Sequence, residues 1–162
     1  MKPYDHYAHT AAKFGPVIFE RLYALLPETS WDRREEGRFT PREVIAHLVD
    51  WEPIFRDRIR AAIREDMAPV DSIDEEELAK KHDYANQSVE TNLHRFREER
   101  QETVDLVLSL EPEQRRRQYV HSEMGPISIA DTLAVIGHHD AYHVEQITAF
   151  LGAKGEKVVG TW

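Results

Sequence analysis

Thr40-Pro41-Arg42-Glu43-Val44-Ile45-Ala46-His47-Leu48-Val49-Asp50-Trp51-Glu52 begins with three separate helix-start signals. Thr40 can accept a hydrogen bond from a free first-turn N–H. Pro41 suits the first helical position, where an N–H has no partner anyway, and Glu43 completes a capping box with Thr40. Beyond it Val44, Leu48, Trp51, Phe55, Ile59 and Ala62 recur at helical spacing, which predicts an amphipathic helix to about Glu65. His47 falls inside that apolar arc.

The same periodicity extends in both directions. Upstream, a helix is predicted from Pro3 to Leu26, with Tyr7, Ala11, Phe14, Ile18, Leu22 and Leu25 on its inner side and Pro27-Glu28-Thr29-Ser30 ending it. Trp31 to Arg38 reads as a polar loop. Downstream, residues 66–86 are acidic and broken by Pro69, with a short helix over Asp74 to Lys80. A third long helix covers Ser88 to Leu110 and is closed by Glu111-Pro112. Gln118 to Ile127, carrying Gly125-Pro126, reads as a turn or small hairpin. Ser128-Ile129-Ala130-Asp131 is a second start signal, and the helix it opens runs to about Leu151, where Gly152 suits a C-terminal cap. Four long amphipathic helices without a convincing strand imply an all-α four-helix bundle, built as one domain over 1–162. Long linkers after the first three helices leave the topology open from spacing alone.

At about 100° per residue, the last helix is apolar along Ile129, Leu133, Ile136, Ile147 and Phe150. His143 lies in the middle of that stripe and His139 at its edge, about 40° away. His138 points to the opposite side. With His47, three imidazoles from two helices are aimed at the interior. A buried imidazole needs a partner for each ring nitrogen, and a metal ion meets that need for one of them. Histidines at i and i+4 can reach one ion, and a third from a facing helix leaves a coordination position open, as in catalytic sites. The competing reading is a hydrogen-bonded structural cluster satisfied by Asp140, Glu43 or backbone carbonyls. Glu43, one turn before His47, and Gln146, close to His139 and His143, are candidates to hold the distal ring nitrogens. Asp140 falls near the inward stripe and needs a partner if ionised. Arg21 and Arg100 interrupt apolar stripes and are expected to reach out along the bundle to its ends. The alternative is a pairing of one of them with Asp140 or with an anionic ligand. His6, His9, His82 and His94 are read as surface residues, His121 is unassigned, and Trp51 is read as core.

Composition narrows the function classes. Net charge is −9, from 21 basic and 30 acidic side chains, and Arg115-Arg116-Arg117 is the single basic cluster, so no nucleic-acid partner is expected. The longest apolar run, Leu22 to Leu26, is far short of a membrane span. Met1 to His6 offers no apolar signal-peptide core, which makes a cytoplasmic location the expectation. The chain has no cysteine, so thiolate zinc sites, disulfides and cysteine nucleophiles are excluded.

The stretch from Thr40 to Glu52, together with Gly125-Pro126-Ile127-Ser128-Ile129-Ala130-Asp131 and His139-Asp140-Ala141-Tyr142-His143-Val144-Glu145-Gln146-Ile147, resembles the two ligand-bearing segments of the DinB/YfiT-like superfamily. The resemblance implies a four-helix bundle of up-down-down-up topology, usually dimeric, that binds zinc or nickel through His47, His139 and His143, with Gln146 matching a glutamine common after the last ligand. It also implies a small-molecule substrate. Some relatives resemble transferases or isomerases that use low-molecular-weight thiols such as bacillithiol or mycothiol, and others are regarded as metal-dependent hydrolases. Three expectations follow. The ion could activate a thiol for S-transfer, it could activate water for hydrolysis with Asp140 or Glu43 as base, or it could only stiffen a non-catalytic bundle.

Overall fold

A computed structural model describes residues 3–151, with side chains from residue 12 onward. Four long helices form the bundle: α1 (Pro3–Leu25), α2 (Pro41–Arg64), α4 (Val89–Ser109) and α6 (Ile129–Thr148). Two short helices, α3 (Glu75–Lys81) and α5 (Pro112–Arg115), lie in the connections. The capping box is formed as predicted: Glu43 N–H donates to Thr40 Oγ1 and Thr40 N–H to the Glu43 carboxylate. Ser128 likewise accepts from Asp131 N–H at the start of α6. α6 ends at Thr148, short of the predicted end, and Gly152 lies outside the described residues.

Side-chain pairings fix the topology. Between α2 and the α4 arm the partner numbers rise together, from Arg42 on the Gln87 carbonyl to Arg117 on the Ile63 carbonyl, so these helices run parallel. Between α1 and α4 they fall, since Ala12 meets Arg100 while Glu20 meets Arg97. Between α2 and α6 they also fall, from Phe39–Gln146 to His47–His139. The order is therefore up, down, down, up. Consecutive helices α1 and α2, and again α4 and α6, sit diagonally, so each long connection crosses an end of the bundle.

One of those ends carries a small sheet that the sequence pattern did not predict beyond its hairpin. β2 (Gln118–His121) and β3 (Gly125–Ser128) form the hairpin, with Gly125 at φ +76° in its turn, where a side chain would be strained. β1 (Ala68–Val70) adds to β2 in parallel, Ala68 opposite Tyr119. Strands of three or four residues, paired across some fifty residues of chain, leave no local alternation to read.

The core has two apolar parts. Phe55, Ile59, Val104, Tyr119, Ile129 and Ile136 pack toward the sheet, and Phe19, Tyr23, Ile45, Leu48, Phe96 and Ile147 toward the other end. Between them lies a polar layer of histidines and ion pairs. This layer explains a difference on α1. Most of the predicted inner side there is out in solvent, with Phe14, Ile18 and Leu25 being 55%, 42% and 71% exposed and Leu22 half-buried against the core, while Ala12, Gly15, Phe19, Tyr23 and Leu26 face inward. Tyr7 and Ala11 lie outside the residues whose side chains are described. The helix turns its small residues inward because the ions opposite need room. A Cβ on Gly15 would stand 2.3 Å from Asp140 Oδ2 and 2.7 Å from an Arg100 nitrogen.

Arg100 is the second difference. It does not reach toward an end of the bundle but is 1% exposed, bidentate to Asp140 at 2.7 and 2.9 Å, with Nε on Glu52 at 2.6 Å. Its remaining bond goes to the Ala12 carbonyl at 2.9 Å. That carbonyl is free because Pro16, four residues on, has no N–H to donate. Burial alone would lower the Arg100 pKa, but Glu52 and Asp140 over-ride it and raise it, so the guanidinium stays charged. Arg21, by contrast, is exposed.

Candidate metal centre

His47 on α2 and His139 and His143 on α6 meet in the polar layer. Their ring centroids are 5.0, 4.9 and 4.7 Å apart, and one nitrogen from each lies within 4.8 Å of the other two. His139 Nε2 is 2.9 Å from His47 Nε2 and 3.3 Å from His143 Nε2. Three nitrogens at roughly 2.1 Å from one tetrahedral ion would stand about 3.4 Å apart, so a slight opening admits it. His138 points away, exposed, with its ring on the Ala134 carbonyl.

The three rings are held neutral. Burial, reinforced by the neighbouring rings, pushes His47 well below the usual histidine value. Burial, His143 and the Arg100 charge push His139 down to about 3. Burial pushes His143 down to about 4, against the opposing hydrogen bond of Gln146. A neutral ring is what a metal ion requires, because its lone pair is free.

What holds each ring differs. His143 Nδ1–H donates to the Gln146 side-chain oxygen at 3.0 Å, and the Gln146 amide donates to the Phe39 carbonyl at 2.7 Å, which fixes the amide and leaves the His143 Nε2 lone pair facing the cluster. His139 Nδ1 is buried without a hydrogen-bond partner among the described residues. On His47 the predicted partner is displaced. Glu43 spends its carboxylate on Arg34, at 2.7 and 2.8 Å, and on Thr40 N–H. His47 Nδ1 instead accepts from the Trp51 indole at 3.1 Å. That bond places the proton of a neutral His47 on Nε2, so holding a cation there requires the proton to leave or to move to Nδ1. The donor set fits one divalent transition ion: two lone pairs already converge, and the third is one proton shift away. Trp51 lies four residues after His47 on the same face, the spacing that could have revealed it. Asp140 stays out of the cluster, with both oxygens on Arg100.

Cavities flank the triad on two sides. A large one of about 620 Å³ reaches His143 and Gln146 and is lined by Arg34, Arg38, Lys80, Glu43, Glu75 and Tyr84, among others. A smaller one of about 230 Å³ reaches His139 and Trp51. A family profile described as the DinB superfamily matches residues 15–147, a span that holds all three histidines.

The chain belongs to the DinB superfamily. Two relatives of this superfamily member from Oceanobacillus iheyensis are each named "putative metal-dependent hydrolase". One is 30% identical over 143 residues, covering 83% of both chains. The other is 28% identical over 112 residues, covering 69% of this chain and 64% of its own. Among solved structures, YfiT from Bacillus subtilis, described as a "probable metal-dependent hydrolase with an unusual four-helix bundle topology", superposes with a TM-score of 0.83 at 19% identity, over 91% of this chain and 86% of that one. A mycothiol-dependent maleylpyruvate isomerase superposes at 0.72 and 12% identity, over 91% of this chain and 63% of that one. At these identities the two structures speak for the fold: DinB-type, with the parallel middle helices derived above. No helix among the described residues is long and apolar enough to cross a membrane.

Proposed function

We propose that this DinB protein is a metal-dependent enzyme that activates a low-molecular-weight thiol for S-transfer, with His47, His139 and His143 as the ligands of one zinc or nickel ion. The observation that carries the reading is the pairing of three neutral, converging imidazoles with two nearby carboxylates, Asp140 and Glu43, that are both engaged elsewhere. When bound, the ion supplies Lewis acidity, which lowers the pKa of a thiol or a water. Hydrolysis also asks for a general base within reach of the water. Both candidates are committed: Asp140 to Arg100 and Glu43 to Arg34 and Thr40. A thiol, with an ordinary pKa near about 8.5, ionises far more easily than water and needs no such base.

The large cavity supports the same reading. Arg34, Arg38 and Lys80 stand there with Glu43, Glu75 and Asp83, a mixed lining suited to a thiol that carries both carboxylate and ammonium groups. Arg38 is held by Glu145 and lies over the Tyr142 ring at 5.2 Å, so its guanidinium is positioned beside His143. The thiol dependence named for the isomerase of the same fold points the same way. Hydrolysis is the second reading, favoured by the names of the two Oceanobacillus relatives.

The test loads the protein with zinc or nickel and follows conjugation of a chromogenic electrophile with bacillithiol, mycothiol and cysteine in turn. Turnover should require both ion and thiol and should vanish in His143→Ala. Turnover of an ester or amide substrate without any thiol, at equal or higher rate, would replace S-transfer with hydrolysis. Ion binding should also change Trp51 fluorescence, since the His47 proton that accommodates the ion sits opposite the indole bond.

A further inference from the structure

Three arginines are buried among the described residues, and they are not treated alike. Arg100 has Asp140 and Glu52, and Arg56, 7% exposed, has Glu99 and Glu102. Arg58 is 5% exposed and has no carboxylate within salt-bridge distance among the described residues. Its one hydrogen bond, from a terminal nitrogen to the Asp71 carbonyl, is long at 3.3 Å, and its guanidinium carbon lies 5.2 Å from the centre of the Trp51 ring. No nitrogen of Arg58 is fully buried without a partner, so its unspent donors are not sealed in the core and stay open to a ligand at the cavity that Arg58 lines.

Arg58 lines the smaller cavity of about 230 Å³, the one that reaches His139. His121, 5% exposed, lines it too. The backbone N–H groups of Glu123 and Met124 donate to His121 Nδ1, which leaves Nε2–H as a second donor. Burial and the Arg58 charge, against the opposing charge of Glu123, hold His121 below the usual histidine value and keep the ring neutral. The walls are apolar, formed by Trp51, Phe55, Ile73 and Val135. Glu75 and Glu123 also border the cavity, but both are exposed, and neither reaches Arg58.

We infer that this chamber binds a small organic carboxylate, its anionic end on Arg58 and His121 and its apolar body against Trp51 and Val135, beside His139. The inference rests on the proposed reaction only in naming the occupant as the second reactant, since the thiol cavity lies on the His143 side. A planar carboxylate matches the guanidinium fork and supplies the missing counter-charge. The volume suits a body of benzoate size, well below that of the larger cavity.

Benzoate and its neutral isostere benzamide separate charge from shape. Titrated into metal-free and zinc-loaded protein by calorimetry, with the Trp51 indole N–H followed by NMR, benzoate should bind in both forms and shift the indole, and benzamide should bind at least tenfold more weakly. Arg58→Gln should weaken benzoate tenfold or more while leaving zinc affinity within about twofold. If that variant fails to fold, the wild-type comparison and Val135→Phe, which fills the chamber, decide in its place: Val135→Phe should abolish benzoate binding. Equal binding of benzamide and benzoate, benzoate binding that needs zinc and ignores Arg58→Gln, or no benzoate binding at all would each overturn the inference. Benzoate held by Arg58 in a protein with no thiol-dependent turnover would keep the site and discard the S-transfer reading. Turnover with no benzoate binding would do the reverse.

Discussion

Two polar clusters share the middle of the bundle, and adjacent residues belong to different ones: His139 to the imidazole triad, Asp140 to the Arg100 ion cluster. In the ion cluster each polar atom has a partner, although one guanidinium faces two carboxylates. Arg100 serves Glu52, Asp140 and the Ala12 carbonyl, and the Thr103 hydroxyl donates to the remaining Glu52 oxygen at 2.6 Å. In the triad, the His139 and His143 Nε2 lone pairs face one another across 3.3 Å, the proton on His47 Nε2 points at His139 across 2.9 Å, and His139 Nδ1 has no partner among the described residues. A closed set of partners is what stability asks for, and an open one is what a ligand asks for. The Arg100 cluster is thus a closed part of the framework, whereas the triad keeps an unspent nitrogen, as the proposed function requires.

The largest test removes the framework charge. Arg100→Met leaves Glu52 and Asp140 buried without a cation and should cost about 3–5 kcal/mol in denaturant unfolding. A loss under about 1 kcal/mol would mean the cluster is not closed as described. Next comes acid. Unfolded histidines take up protons below about pH 6.5, whereas the folded rings resist until about 4 for His143 and about 3 for His139. The contribution of the neutral rings is therefore complete above about pH 6.5 and is lost as pH falls toward 4, by up to about 1.4 kcal/mol per pH unit for each ring. Metal-free protein unfolded at a series of pH values should show that slope, and His139→Phe should flatten it. An unchanged slope would place the ring in water. The smallest effect belongs to the support of the triad: Gln146→Leu should weaken zinc binding about 10–100-fold with little change in metal-free stability. If stability fell and zinc affinity held, Gln146 would belong with the framework instead.

The triad was more legible in the sequence than the framework that surrounds it. Histidines inside apolar stripes stand out against their neighbours, and the capping box at Thr40 and the serine cap at Ser128 mark where both helices start, so a helical wheel suffices to aim His47, His139 and His143 inward. Gln146 follows from the same turn of helix. The ion cluster depends on a third helix and on absences, the missing side chain of Gly15 and the missing N–H of Pro16, which carry no hydrophobic signal. For that reason Phe14, Ile18 and Leu25 suggested the wrong inner face on α1, and Arg100 was expected to reach out along the bundle. Glu43 was misjudged for a related reason: its candidacy beside His47 rested on spacing along α2, while Arg34 comes from a loop whose path the spacing does not give. The pairing of β1 with β2 is nonlocal in the same sense.

The parallel course of the neighbouring helices α2 and α4 has a consequence for how the molecule can vary. Because α2 and α4 run the same way, the chain between them must travel back along the whole molecule, and that return segment supplies Glu75, Glu76, Ala79, Lys80, Asp83 and Tyr84 to the large cavity. The histidines and the ion cluster lie on the four long helices, and the segment meets them through Tyr84, whose ring stands edge-on to His47 at 6.5 Å. A change in this one crossover would remodel the wall of the large cavity while leaving in place the helices that carry the triad.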